Sequence, residues 1–159
     1  MLRHNPLFGV GYGNFTDYNP MTAHNTIVLA FAELGLLGYI LWLAIIGYSG
    51  YMLYWLTFRA RDWAVANGRE LPSDFAAEEE AARGLLVAAL GFAVGAFFLS
   101  QSFKPLLYVL CGLAMGRWLG VEARIGPLPQ LSFLRDLRYW IGASIGSVVG
   151  IYALIKVAG

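Results

Sequence analysis

Apolar residues run almost without interruption from Thr26 to Phe58, with Glu33 the one charged residue and Gly35, Gly38, Gly47 and Gly50 spaced along the run. A helix needs about 20 apolar residues to cross a hydrocarbon core of about 30 Å. The run is longer than that and predicts a first span over 26–58, part of which projects, tilts or breaks. Its first turns are expected at the membrane surface and Gly35 to Gly38 near the boundary. Tyr48, Tyr51, Tyr54 and Trp55 approach the far interface, where aromatic belts form, and Arg59 and Arg61 end the span.

Residues 59–83 are polar and punctuated by Gly68 and Pro72, and Ser73 or Asp74 can cap a new helix that carries Glu78, Glu79 and Glu80. Glu79 and Arg83 are four apart and are expected to pair. No His or Cys accompanies these acids, so they read as a solvated helix face and not as a metal site. Further apolar runs predict spans over 84–103, 106–121 and 139–158, with a sharp corner at Lys104 and Pro105 and a second polar loop over 122–138.

Composition agrees with this pattern. The chain is 58% hydrophobic and only 13% charged, with a mean hydropathy of +0.60, whereas globular domains are about a quarter charged. The predicted fold class is an all-α, polytopic membrane protein of about four transmembrane helices. A net charge of +1, with basic and acidic residues interleaved, gives no stripe for nucleic acid. Membrane lipids are the expected surroundings. The single cysteine, Cys111, lies in an apolar run and reads as a small packing residue.

Basic residues separate by loop: Arg59, Arg61, Arg69 and Arg83 in one, Arg117, Arg124, Arg135 and Arg138 around another, and only Lys104 in the corner between them. The positive-inside rule then places both basic loops in the cytoplasm and the N-terminal residues 1–25, the Lys104 corner and the C-terminus on the opposite face. Gly91 and Gly95, Gly112, Gly116 and Gly120, and Gly142, Gly146 and Gly150 recur every four residues, a spacing expected to let helices approach closely. The N-terminus offers His4, Asn5 and Pro6 where a signal peptide needs an apolar core. The chain is accordingly expected to be the C-terminal portion of a larger protein.

Polar chemistry gathers near the start. The order is Asn5-Pro6-Leu7-Phe8-Gly9-Val10-Gly11-Tyr12-Gly13-Asn14-Phe15, then His24-Asn25, then Glu33-Leu34-Gly35-Leu36-Leu37-Gly38. This order resembles the C-terminal signature of the O-antigen ligase and O-antigen polymerase superfamily, and residues 100–110 resemble that family's last helix pair. The resemblance implies a helical membrane glycosyltransferase that moves a glycan from an undecaprenyl-pyrophosphate carrier to an acceptor hydroxyl of a lipid, sugar or protein, on the periplasmic face of the bacterial inner membrane. It implies no cofactor and, for the ligase branch, no metal. The family's functional histidine falls on His24. Arginines upstream of this chain would complete the site, leaving the chain inactive by itself.

The residues themselves give His24 a compatible role. It follows the possible cap Thr22 at the start of the long helix, where free N–H groups favour an anion such as a pyrophosphate. The same positive helix end disfavours imidazolium, which leaves a neutral ring able to act as a general base. The plain alternative for His24 is an interfacial histidine bonded to a loop carbonyl, and His4 keeps that plain reading. Glu33 lies on the opposite face from His24 in a straight helix and is expected to anchor a neighbouring helix, or, as an ionisable residue near the membrane, to support the site with an arginine on a helix outside this chain. Asn25 is expected to orient His24 or the donor, and Gly9, Gly11 and Gly13 to allow tight turns and close approach of backbone to ligand. A rival reading is a small-solute transporter or a structural subunit; transport would require polar residues or broken helices within the membrane.

Overall fold

The computed structural model describes residues 5–19 and 25–158. It is all-helical among those residues, with α1 at Phe15–Tyr18, α2 at Thr26–Phe58, α3 at Ala60–Ala66, α4 at Phe75–Phe98, α5 at Pro105–Ile125 and α6 at Phe133–Ala158. Helices α2, α4, α5 and α6 are each long and apolar enough to cross a membrane, which makes this a multi-pass membrane protein. The acidic helix expected after Ser73 and the apolar span expected from Gly84 are one continuous helix, α4. It ends at Phe98, and residues 99–104 run without helix to Pro105, whose fixed φ starts α5. Helix α6 begins at Phe133, so Arg135 and Arg138 belong to its first turns and not to a loop.

Packing divides the chain into two units. The first comprises Met1–Ala44, Val94–Ser102 and Ser132–Gly159, and the second Ile45–Ala93 and Phe103–Leu131.

The second unit has a core of Met52, Trp55, Leu56, Ala60, Ala64, Phe75, Ala82, Trp118, Val121, Ile125 and Leu128. Trp55 is its centre, with ring centroids 5.1 Å from Trp118 and 5.7 Å from Trp63, contacts each worth about 0.5–1.5 kcal/mol beyond area burial. Ala60 and Ala64 are fully buried and let α3 lie close to its neighbours. Arg69 closes the end of α5, donating from Nη1 to the Ile125 carbonyl at 3.1 Å.

The acids of α4 are not a bare solvated face. Glu79 accepts two bonds from Arg61, at 3.0 and 2.6 Å. Glu78 accepts from Arg117 at 2.7 Å and from Arg124 at 3.2 Å, and Arg124 also pairs with Asp74. The expected pair of Glu79 with Arg83 is replaced by the bidentate bond to Arg61, whose guanidinium is held above its ordinary pKa by that bond and by the charge of Glu79. The glycine stripes, whose spacing suits packing either within the chain or against helices outside it, find no partner among its described residues. A Cβ added at Gly91, Gly95, Gly112, Gly116, Gly120, Gly142, Gly146 or Gly150 would meet nothing within 4 Å, so these faces carry no close helix packing among the described residues.

The first unit joins α2 to α6 through Tyr39, whose hydroxyl lies 2.8 Å from Ser147 Oγ. Tyr39 is fully buried between Phe31, edge-on at 5.4 Å, and Trp42, stacked at 5.8 Å.

Candidate functional site

Helix α2 is interrupted at Gly35, whose φ of 65° and ψ of −173° belong to no helix. An interruption inside a helix frees carbonyls behind it and N–H groups ahead of it, and in an apolar setting each must find a partner. The loop before α1 supplies them. Val10 N and Gly11 N donate to the carbonyls of Ala32 and Glu33, both at 3.0 Å, while Leu36 N and Leu37 N donate to the carbonyls of Pro6 and Leu7, at 3.0 and 3.2 Å. Residues 5–11 therefore complete the backbone bonding of the broken helix from both sides.

Such an approach requires glycine on both partners. Gly9 has φ of 69°, and a Cβ there would collide with the Glu33 carbonyl and the backbone nitrogen of Gly35; a Cβ on Gly35 would collide with Leu7, Phe8 and Gly9. The close backbone approach at Gly9 is made to α2. Gly11 contributes the N–H already named, and a Cβ on it would meet the side chain of Asn14 at 3.1 Å, whereas Gly13 faces open space.

Glu33 is 4% exposed. Its Oε1 accepts the backbone N–H of Phe15, the first residue of α1, at 3.3 Å, so the anchoring role expected for it is exercised toward α1. Phe15 is itself buried, and Asn14 Nδ2 donates to the Val10 carbonyl at 2.9 Å.

Asn25 is the helix cap that Thr22 was expected to provide. Its Oδ1 accepts the N–H groups of Ile27 at 2.9 Å and Val28 at 3.2 Å, and its Nδ2 donates to the Phe97 carbonyl at 2.8 Å near the end of α4. Two of the N–H groups expected to be free for an anion are therefore already occupied. Thr26 extends the junction: its hydroxyl donates to the Leu99 carbonyl at 2.6 Å and accepts Gln101 N at 2.8 Å. Ser102 Oγ donates to the Thr26 carbonyl at 2.7 Å, and Trp42 Nε1 donates to the Ser102 carbonyl at 3.3 Å. Sequence reading missed Thr26, Ser102 and Trp42 because their partners are about 60 or more residues away. His24, His4 and Thr22 lie outside the described residues.

Among the described residues no three of His, Cys, Asp and Glu converge as metal ligands. The structure brings Gly9, Gly11 and Glu33 together at the break in α2, leaves Gly13 at the rim, and puts Asn25 at the start of the same helix. No protein-family model, curated protein or solved structure matches the chain.

Proposed function

We propose that the chain is the C-terminal part of an O-antigen ligase-like membrane glycosyltransferase. In this reading it moves a glycan from an undecaprenyl-pyrophosphate carrier to an acceptor hydroxyl at the outer face of a bacterial inner membrane, with residues 1–25 and the C-terminus periplasmic. The observation that carries the reading is the meeting of two separated pieces of the motif. Residues 6–11 dock on residues 32–37 through backbone bonds of Val10 and Gly11 to Ala32 and Glu33 and of Leu36 and Leu37 to Pro6 and Leu7, with Gly9 packed against Gly35, so the glycines and the Glu-x-Gly step act as one structural element. That element and Asn25, which fixes the first turn of α2, flank in sequence the segment that carries His24. His24 as general base would take the proton of the acceptor hydroxyl as its oxygen attacks the anomeric carbon and the lipid pyrophosphate departs.

The test is glycan transfer from a lipid-pyrophosphate donor in membranes holding the protein that carries this chain. His24→Ala at matched expression is expected to lower turnover by about 10²–10⁴-fold. Native turnover by that variant would remove the proposal.

A transporter is the second reading, favoured by the discontinuous α2 with buried Glu33 beside its break, a feature on which coupled sites are built. Against it, the carbonyls of Ala32 and Glu33 and the N–H groups of Leu36 and Leu37 are bonded to the loop and are not left open as in an unwound ion site.

A further inference from the structure

Where α2 ends, Tyr51, Tyr54, Trp55, Arg59, Asp62 and Trp63 line an open groove of 510 Å³, within the size range of small-molecule sites, about 300–1,000 Å³. Its two charged side chains are Arg59 and Asp62, and the charge of Asp62 is felt by the neighbouring Arg61. Of the arginines in the second unit, Arg61, Arg117 and Arg124 are paired with Glu78 and Glu79 of α4 and Arg69 is bonded to the Ile125 carbonyl, while Arg83 stands on α4 away from the groove lining. The Arg59 and Asp62 side chains are exposed and make no hydrogen bond or ion pair within the described residues. Arg59 is the N-cap residue of α3 and Asp62 lies in its first turn, and both line the groove.

The groove also has a distinct apolar side. Tyr51, Tyr54 and Phe58 recur at intervals of three and four residues along α2 and are 42%, 44% and 54% exposed, an unbroken aromatic strip that leads from the apolar span to the two charges. Tyrosine and tryptophan collect at the level of lipid headgroups, and an arginine there extends its guanidinium into that layer.

We propose that this groove binds a glycerophospholipid whose headgroup carries both a phosphate and a primary ammonium. Arg59 takes the phosphate, Asp62 takes the ammonium, and an acyl chain follows the strip of Tyr51, Tyr54 and Phe58. Asp62 decides the headgroup: a purely anionic lipid would satisfy Arg59 and place its remaining polar groups against a carboxylate.

The test uses the full chain, purified in detergent and stripped of lipid, with phosphatidylethanolamine or phosphatidylglycerol of the same acyl composition added and retention read by native mass spectrometry. Phosphatidylethanolamine is expected to be held about tenfold more tightly than phosphatidylglycerol, equivalent to about 1.4 kcal/mol. Asp62→Asn should erase that preference while lipid is still retained. Arg59→Gln should lower retention of both lipids and Arg59→Lys restore part of it, with thermal unfolding followed in parallel to establish that each variant is folded. Soluble phosphoethanolamine in excess should leave the bound lipid in place. Equal retention of the two lipids by the native chain, undiminished retention by folded Arg59→Gln, or displacement by soluble phosphoethanolamine would each overturn the proposal.

Discussion

Gly9 and Gly35 lie back to back at the interruption of α2, both at positive φ, each occupying the space where the other would have to carry a Cβ. The contact links a loop to a helix more than twenty residues away in sequence and decides where that helix bends. Its surroundings supply the bonding and the two glycines supply the room.

Replacing either glycine by alanine therefore adds backbone strain of about 1–3 kcal/mol and a collision with main-chain atoms. Gly9→Ala and Gly35→Ala are each expected to lower the midpoint of detergent-based unfolding markedly. The double variant should lose less than the sum, because the first substitution already separates the partners. Gly13→Ala, which meets open space, should show the smallest loss of the three.

Thr26 both donates and accepts through one hydroxyl. Thr26→Ser keeps that hydroxyl and should be nearly neutral. Thr26→Val keeps the shape and leaves Gln101 N–H and the Leu99 carbonyl without it, at a cost of about 1–3 kcal/mol. Hydrogen exchange at the Gln101 amide distinguishes the two, slow in the serine variant and fast in the valine variant.

Much of this was legible in the sequence and some was not. The length and composition of the apolar runs showed four membrane-crossing helices, and the excess length of 26–58 implied that part of it would depart from a simple span. Residues 36–58 alone reach about 35 Å at 1.5 Å per residue, which is why a break at Gly35 leaves a complete crossing. The partner of the break was not legible, because paired backbone bonds leave no side-chain pattern. Helix ends were also hidden: hydropathy marks where residues become apolar, whereas α4 begins nine residues earlier, among acids held by Arg61, Arg117 and Arg124. The choice of Arg61 over Arg83 for Glu79 rests on tertiary proximity that i,i+4 spacing cannot report.

Glu78 is shared by Arg117 and Arg124. All three are partly exposed, so each pair is worth about 0–1 kcal/mol and is weakened by salt. Glu78→Gln is expected to lower the unfolding midpoint by a few degrees in dilute buffer and by less at high salt. A loss that does not depend on salt would assign Glu78 a packing role instead.

The basic residues that flank α2, α4 and α5 predict an orientation with Lys104 on the outer face. In a Cys111→Ser background, Lys104→Cys should react with an impermeant maleimide on intact cells, and Arg69→Cys only after the membrane is opened. The reverse pattern would place residues 5–19 on the cytoplasmic side and remove the proposed transferase reading with it.

The bend in α2 is held by residues that precede the helix in the chain. Residues 5–11 leave the ribosome before Gly35 does, and when the helix reaches its interruption the strip of backbone that satisfies it has already been made. The clasp thus precedes in the chain the carbonyls and amides it satisfies, and no later segment has to be made before the break at Gly35 has its partners.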